Sequence, residues 1–315
     1  MNDKNQTRTR PIALVFFAAL MLALMLPLRL WQQLHLVEQG TGFWVNTDAT
    51  VTLLYVALGV LVAVPAIAGF ALRKRAALDL TRRRRVVEGA AAALVAAALV
   101  WDAFAAFGFA VRLFGGGSGD AFLDGMEMQS SPVQFYIRSG AMACVLESLS
   151  GLAGALFFGT LAAIDFAPEK KVYLNRALAL APFAWAVCRV LRRFSRTIAY
   201  LRVSDLFLGL AMLVALMLFL LAFAQIASGV NNANKGGSLL AAGIPAAVLA
   251  VLCFVPRFVA YGFMGYAPPQ DAMVEWCDSA LAVFILALVI GRAYLAAPGA
   301  AAIIKEKNDE MIEEK

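Results

Sequence analysis

The sequence predicts an all-α fold, a polytopic bundle of transmembrane helices, and three observations lead to this class. Of the 315 residues, 62% are hydrophobic and only 15% are charged. An average soluble domain is about 45–50% apolar and about 25% charged, and a chain of this size cannot enclose so much apolar surface in a water-soluble core. The apolar residues form long runs without the alternation of barrel strands. Because lipid offers backbone amides no water, such runs must be helices.

Composition also excludes several classes of protein. It conflicts with an ordinary cytoplasmic enzyme, a disordered chain and a disulfide-built secreted module. The net charge is +6, but the basic residues lie between apolar runs, where they hold loops in the cytoplasm rather than bind nucleic acid. The cysteines Cys144, Cys188, Cys253 and Cys277 form no C-x-x-C pair, so we expect small core residues. His35 is the single histidine; we therefore expect no metal centre, cofactor or catalytic triad built on histidine.

The apolar runs divide the chain into helices and tails. A helix needs about 20 apolar residues to cross about 30 Å of hydrocarbon. Seven runs meet this length, and they are 11–30, 50–72, 88–111, 141–164, 203–227, 238–258 and 278–298. The first exceeds the about 7–15 residues of a signal-peptide core, so we interpret it as an uncleaved membrane helix. The prediction is thus a cytoplasmic tail at 1–10, a transmembrane domain at 11–298 and a charged tail at 299–315.

The charges of the loops orient this bundle. The linker 73–87 is rich in arginine and lysine, whereas the loop 32–49 contains neither. The positive-inside rule therefore places the N-terminus and 73–87 in the cytoplasm, and 32–49 and 112–140 outside. The basic loop 165–176 returns to the cytoplasm.

An eighth apolar segment, about 174–192, leaves two topologies open. It is shorter than the others and ends in several arginines. If it spans, the bundle has eight helices and both termini are cytoplasmic. If it lies in the interface as an amphipathic helix, seven spans remain and the C-terminus is outside. The numbers of cations on the two sides do not separate these topologies. We prefer eight spans because 174–188 is almost wholly apolar and the tail at 305–315 is typical of a solvated cytoplasmic end.

Three ionisable residues form a candidate polar site within the membrane. Charged groups in a bilayer are costly, so each is a functional candidate. Asp102 and Glu147 lie on helices of opposite direction and fall at similar depth in the outer half, and Arg189 joins them if there are eight spans. Burial favours the protonated form of a carboxylate, whereas pairing with arginine favours its charged form. Proton-coupled carriers use this balance to load and release protons. The alternative is that these charges only hold helices together.

Arginines beyond the eighth segment form a second candidate site. Arg192, Arg193 and Arg196 interleave with apolar and aromatic residues. Guanidinium groups bind phosphate or carboxylate bidentately, so one interpretation is contact with an anion or a lipid headgroup. The other is that the side chains only extend to the interface, or act as a cytoplasmic stop signal in the seven-span topology.

Two short motifs carry a resemblance to a protein family. Thr41-Gly42-Phe43-Trp44 follows the first helix, and P-F-A-W-A-V-C-R-V-L-R-R-F occupies 182–194, followed by Ser204-Asp205 and a long apolar helix. In these motifs the chain resembles an uncharacterised family of bacterial polytopic membrane proteins with no assigned activity. The resemblance implies a multi-pass protein of the bacterial inner membrane and supplies no site residues.

Two main hypotheses of function follow from the sequence. The first is a transporter-like protein for a small solute or ion, with a polar site in the outer half of the membrane. The second is a non-catalytic membrane partner or regulatory subunit whose buried charges serve packing. A lipid-modifying enzyme is a third possibility that the arginines permit, but no recognisable nucleophile supports it, so we do not expect an enzyme. The expected partners are the lipid bilayer and a small solute or ion, without nucleic acid.

Overall fold

The computed structural model describes residues 11–38, 44–45, 48–73, 76–78, 85–114, 136, 140–168, 175, 177–195, 203–228, 235–266 and 275–295. Its α-helices are α1 Ile12–His35, α2 Ala49–Ala71, α3 Val86–Phe114, α4 Ala141–Phe166, α5 Ala181–Ser195, α6 Val203–Ala227, α7 Lys235–Arg257 and α8 Trp276–Gly291. A 3₁₀ turn, Leu178–Leu180, precedes α5, and a π-helical segment, Phe258–Phe263, extends α7. The predicted all-helical class is confirmed. The described exception is a short antiparallel pair of strands, β1 Ala76–Leu78 and β2 Ala293–Leu295.

Six of these helices are long and apolar enough to cross a membrane. They are α1, α2, α3, α4, α6, and α7 with its π-helical extension. The α8 helix has 16 residues and α5 has 15. At 1.5 Å per residue, α5 extends about 22 Å, less than the about 30 Å of a hydrocarbon core. By length and composition the described residues therefore contain six candidate spans, fewer than the eight segments that the apolar runs predict.

The two shorter helices differ from the predicted segments for local reasons. The segment 278–298 was expected to be one helix, but α8 ends at Gly291 and the backbone then pairs with the 73–87 linker as strand β2. Among the described residues of the segment 174–192, the α-helix begins at Ala181, after the 3₁₀ turn, and the following Pro182 suits the first turn of a helix. The α-helices described in both apolar runs are therefore shorter than the runs themselves.

The α5 helix runs antiparallel to α4. Pro182 lies beside Gly154 of α4, and Trp185 lies beside Gly151. Further along α5, Arg192 pairs with Glu147, which is closer to the start of α4 than Gly151 and Gly154 are. An added Cβ at position 154 would lie 3.5 Å from the Cα of Pro182. The small residues of α4 therefore let α5 pack closely against it.

Glycines also allow a close contact between α2 and α7. A Cβ at Gly237 would collide with the carbonyl oxygen of Gly69 and would lie 2.8 Å from the Cα of Arg73. The start of α7 is thus next to the end of α2. The core between the other helices is aromatic, and its buried rings meet mostly edge to face; they are Phe157, Phe158, Phe219, Phe223 and Phe284.

The helical bundle has two ends that matter for the sites. We refer to the end where β1 and β2 pair as the ribbon end, and there the start of α3 meets the ends of α4 and α8. The backbone N–H of Arg85 donates to the carbonyl of Asp165 at 3.0 Å. Nη1 of Arg85 donates to the carbonyl of Gly291 at 3.0 Å. At the opposite cluster end, α4 and α8 begin and α5 ends. The helices α4 and α8 therefore connect the two ends.

Candidate functional site

Charged side chains from α3, α4, α5 and α8 converge at the cluster end of the bundle. We refer to them as the ionic cluster, and its members are Asp102, Glu147, Arg189, Arg192, Arg193, Glu275 and Asp278. The three arginines of α5 stand at spacings of three and four residues, so one face of that helix presents all of them. Because the adjoining face of α5 packs on α4 and α6, the arginines are held inside the bundle.

Arg189 is the central member of the ionic cluster. Its side chain is 0% exposed. It pairs with the carboxylate of Glu275, and its Nη1 lies 3.0 Å from Oδ1 of Asp278. The guanidinium also lies over the ring of Trp185, 4.9 Å from its centroid. A buried guanidinium needs such opposite charges, because leaving water without them is costly. Arg189 therefore holds α5 against the start of α8.

The two arginines one turn along α5 extend the pairing. Nε of Arg192 lies 2.8 Å from Oε2 of Glu147, and its Nη2 lies 3.6 Å from Oε1 of Glu275. Nη2 of Arg193 donates to Oε2 of Glu275 at 2.9 Å. Glu275 thus forms ion pairs with all three arginines of α5. Because Glu275 directly precedes α8, these pairs connect α5 to the start of α8.

The arginines determine the charge of Glu275, which lies directly before the first residue of α8. Burial raises the pKa of this carboxyl group, but Arg189, Arg193 and Arg192 lower it more, so that the net pKa lies well below its usual range. Glu275 is therefore ionised at neutral pH. Arg257, at the end of α7, adds another positive charge that interacts with Glu275 and with Asp278.

Among the described residues, Asp102 is the carboxylate of the cluster that no arginine contacts at ion-pair distance, whereas Glu147, Glu275 and Asp278 each have such a contact. It interacts electrostatically with Glu147, Arg189 and Cys277. Its Oδ2 atom is buried and has no hydrogen-bond partner among the residues that the structure describes. Buried polar atoms are almost always hydrogen-bonded, so an exception calls for an explanation. Asp102 therefore offers the cluster a free acceptor next to paired charges.

The structure brings together most of the residues that the sequence marks. Asp102, Glu147 and Arg189 lie in one cluster. Arg192 and Arg193, considered for an anion or headgroup, contact protein carboxylates in this structure. Arg196 lies outside the described residues.

Sequence reasoning missed Glu275 and Asp278 as members of the cluster. Asp278 is the first residue of its apolar run, and Glu275 lies just before that run. Carboxylates at the boundary of a segment resemble ordinary solvated helix ends, so nothing in the local pattern marks them. A signal was present only in the surplus of arginines on α5, which would need carboxylate partners if that helix were buried.

A second charged network closes the ribbon end. Arg292 pairs with both carboxylate oxygens of Asp165, and both side chains are buried. Arg85 lies 3.6 Å from Glu88. The carboxylate of Glu88 occupies the space that a side chain at Gly291 would need. We refer to Arg85, Glu88, Asp165 and Arg292 as the ribbon-end clamp, which the sequence analysis did not identify.

Neither network has the composition of a metal centre. Within the described ranges, no group of three or more histidine, cysteine, aspartate or glutamate side chains is placed to hold a metal ion. Comparison of the chain with protein-family models, with curated proteins and with solved structures found no match.

Proposed function

We propose that this chain is a multi-pass protein of the bacterial inner membrane that carries a small cation or a proton through its ionic cluster. The carrying observation is the buried Oδ2 of Asp102, an acceptor that meets no donor among the described residues and lies inside a group of charges. A missing donor is supplied by a proton or by a bound cation. The substrate class follows from this atom, because the arginines of the cluster already have carboxylate partners.

The course of the helices supports eight crossings of the bilayer. Six helices have the length and composition of spans. The α5 helix runs antiparallel to α4, from Gly154 towards Glu147. The α8 helix begins at Trp276, directly after Glu275 at the cluster end, and ends at Gly291 at the ribbon end. With the basic linker 73–87 in the cytoplasm, the ribbon end is cytoplasmic and the cluster lies towards the outside.

The two charged networks give such a carrier a barrier at each end. The ionic cluster joins α3, α4, α5 and α8 at one end, and the ribbon-end clamp joins α3, α4 and α8 at the other. A carrier that exposes one site alternately to two sides needs contacts at each end that form and break in turn. In the proposed cycle, the state in which both networks are formed would be the one closed to both sides.

Exchange of cations against protons tests the proposal directly. Purified protein is reconstituted into liposomes that contain a pH-sensitive dye, and outward gradients of Na⁺, K⁺ or a quaternary ammonium ion are imposed. We expect at least one cation to change the internal pH faster than in protein-free liposomes. Asp102→Asn removes the carboxylate that binds the proton or cation, so exchange should fall to the protein-free rate while the variant still accumulates in the membrane.

Asp48→Asn is the matched control for this experiment. Asp48 is an exposed carboxylate at the start of α2, outside both networks, and asparagine preserves its capping role. This variant should exchange cations like the wild type. The proposal is contradicted if no cation changes the internal pH, or if Asp102→Asn exchanges as fast as the wild type.

The topology has its own test. In a chain lacking the native cysteines, Ser195→Cys and Lys307→Cys are labelled from outside intact cells with a membrane-impermeant thiol reagent. Eight crossings predict that position 195 is labelled and position 307 is not. The reverse pattern would favour seven spans, would move the arginines of α5 to the cytoplasmic face and would remove the outer position of the cluster.

A second candidate is a membrane partner or regulatory subunit in which the cluster serves packing. The favouring observation is charge balance: the four carboxylates of the cluster face four arginines when Arg257 is included. Under this hypothesis Asp102→Asn upsets that balance, so the variant accumulates poorly and a stable partner protein co-purifies with the wild type. Accumulation of the variant therefore distinguishes the two candidates.

A further inference from the structure

Glu147 is a second carboxylate of the ionic cluster whose oxygens are buried. Its side chain is 1% exposed, and neither Oε1 nor Oε2 has a hydrogen-bond partner among the described residues. Nε of Arg192 lies 2.8 Å from Oε2, but its N–H is not directed at that oxygen. Buried charged carboxylates are normally stabilised by hydrogen-bond donors. Within the described part of the chain, Glu147 thus has a counter-ion without a donor, and a proton bound to one oxygen can replace that counter-ion.

The position of its counter-ion distinguishes Glu147 from the other paired carboxylates. Glu275 forms ion pairs with all three arginines of α5. Asp278 pairs with Arg189, whose side chain is 0% exposed and is therefore enclosed by protein. The side chain of Arg192, in contrast, is 20% exposed. The ion pair of Glu147 therefore lies next to the surface of the protein at the cluster end.

Arg192 also has a second carboxylate within reach. Its Nη2 lies 3.6 Å from Oε1 of Glu275, while its Nε lies beside Glu147. Removing one partner of a buried ion pair is costly when the other charge is left without compensation. If Glu147 becomes neutral, Arg192 keeps the charge of Glu275. The cluster can therefore change the charge of Glu147 without leaving this arginine uncompensated.

The charge of Glu147 is coupled to that of Asp102. The charged and titratable groups that interact with Glu147 come from three other parts of the bundle, and they are Asp102 of α3, Cys188, Arg189 and Arg192 of α5, and Glu275 before α8. Two interacting carboxylates repel each other when both are charged, so a positive ion bound by one favours the ionised form of the other. Cation binding at Asp102 and proton release at Glu147 are therefore linked.

We propose that Glu147 holds the proton of the exchange and that Asp102 holds the cation, an inference that rests on the proposed function. A proton from the outer solution binds Oε1 of Glu147, and Arg192 turns towards Glu275. A monovalent cation displaces this proton, because its charge at Asp102 favours the ionised form of Glu147. The proton returns to water, and the ion pair with Arg192 forms again. One positive charge replaces another, so the net charge of the cluster stays the same.

Infrared difference spectroscopy of the purified protein tests this assignment without any transport. Lowering the pH produces the C=O stretching band of each carboxyl group that becomes protonated. We expect a wild-type band that Glu147→Gln removes and that Asp102→Asn retains at lower pH. Glu38→Gln is the matched control, because it makes the same chemical change at an exposed position after α1. Its spectrum should contain the band as in the wild type.

The counter-ion gives a second measurement, which remains valid if Glu147→Gln does not fold. Arg192→Gln removes a charge that favours ionised Glu147, so the band should appear at a pH higher by about one unit or more. Arg193→Gln is the control on the same helix, because Arg193 pairs with Glu275, and it should shift the band by less. Equal shifts in the two variants would contradict the role of Arg192.

Added cations connect the proton site with the exchange. At the pH at which the band is half-formed, Na⁺, K⁺ or tetramethylammonium should weaken it in the wild type but not in Asp102→Asn. Absence of a band in the wild type, or a band that Glu147→Gln leaves unchanged, overturns the inference and leaves cation binding at Asp102 untouched. A band that belongs to Glu147 but that no cation weakens supports the proton site and contradicts the cation exchange of the proposed function.

Discussion

Replacing Arg189 by leucine is expected to cause the largest loss of folded protein of any single change in the ionic cluster. Its side chain is 0% exposed, and its removal leaves the carboxylate of Asp278, which is 2% exposed, without its ion-pair partner. Removing one partner of a buried ion pair costs about 3–5 kcal/mol. The free energy of unfolding should fall by about this amount, which is a large share of the stability of a typical protein.

The measurement is the amount of monodisperse protein in detergent, together with the midpoint of its thermal unfolding. Arg112→Leu is the matched control, because Arg112 is exposed on α3, and its midpoint should be unchanged. The double variant Arg189→Leu with Asp278→Leu should recover part of the loss, since apolar residues of similar volume often replace a buried pair without cost. Glu275 keeps Arg192 and Arg193 in that variant. A midpoint for Arg189→Leu equal to that of the control would contradict the burial of this arginine among carboxylates.

Neutralising Asp165 is expected to have an effect of similar size at the opposite end of the bundle. In Asp165→Asn the buried Arg292 loses the carboxylate that it contacts through both oxygens. The loss should again be about 3–5 kcal/mol. Because Arg292 separates α8 from strand β2, the pairing of β1 with β2 should loosen as well. Hydrogen exchange of the backbone amides in 76–78 and 293–295 measures this second effect.

Glu88→Gln serves as the graded comparison for this prediction. Glu88 belongs to the same clamp, but it lies 3.6 Å from Arg85 and its side chain is 11% exposed. This contact is longer than that of Asp165 with Arg292, and glutamine keeps an oxygen that can accept a hydrogen bond from Arg85, so the expected loss is smaller than for Asp165→Asn. Combining Asp165→Leu with Arg292→Leu should restore most of the stability that Asp165→Asn loses. Equal effects of Asp165→Asn and Glu88→Gln would show that the pair with Arg292 is not the main contact of the clamp.

Local composition was sufficient to predict most of the helices. The runs 141–164 and 203–227 correspond closely to the helices Ala141–Phe166 and Val203–Ala227. Hydropathy summed over about 20 residues is a property of consecutive residues, so it locates such helices without knowledge of their neighbours. It did not locate the start of α5 or the end of α8, where a proline and a strand pairing with a distant linker decide the boundaries.

The candidate site was predictable only in part, for a related reason. The opposite directions of two neighbouring helices put Asp102 and Glu147 at one depth, and this inference needs only the order of the segments. The two carboxylates that pair with Arg189 could not be found in this way, because Asp278 and Glu275 are far from it in sequence and lie at a segment boundary. Pairing depends on which helix faces which, and loop charges do not carry that information.

The sequence by itself determined that this is a helical chain rich in membrane-length apolar segments. It also determined which of the linkers between these segments are basic and which charged residues lie inside apolar runs. These are consequences of composition and periodicity along the chain. Tertiary structure alone decided that α5 packs inside the bundle, that β2 closes the ribbon end, and that the buried Arg189 and Arg292 meet their carboxylates. The physical reason is that an ion pair stabilises only when its two groups are within a few ångströms of each other, and that distance is set by packing between helices distant in sequence.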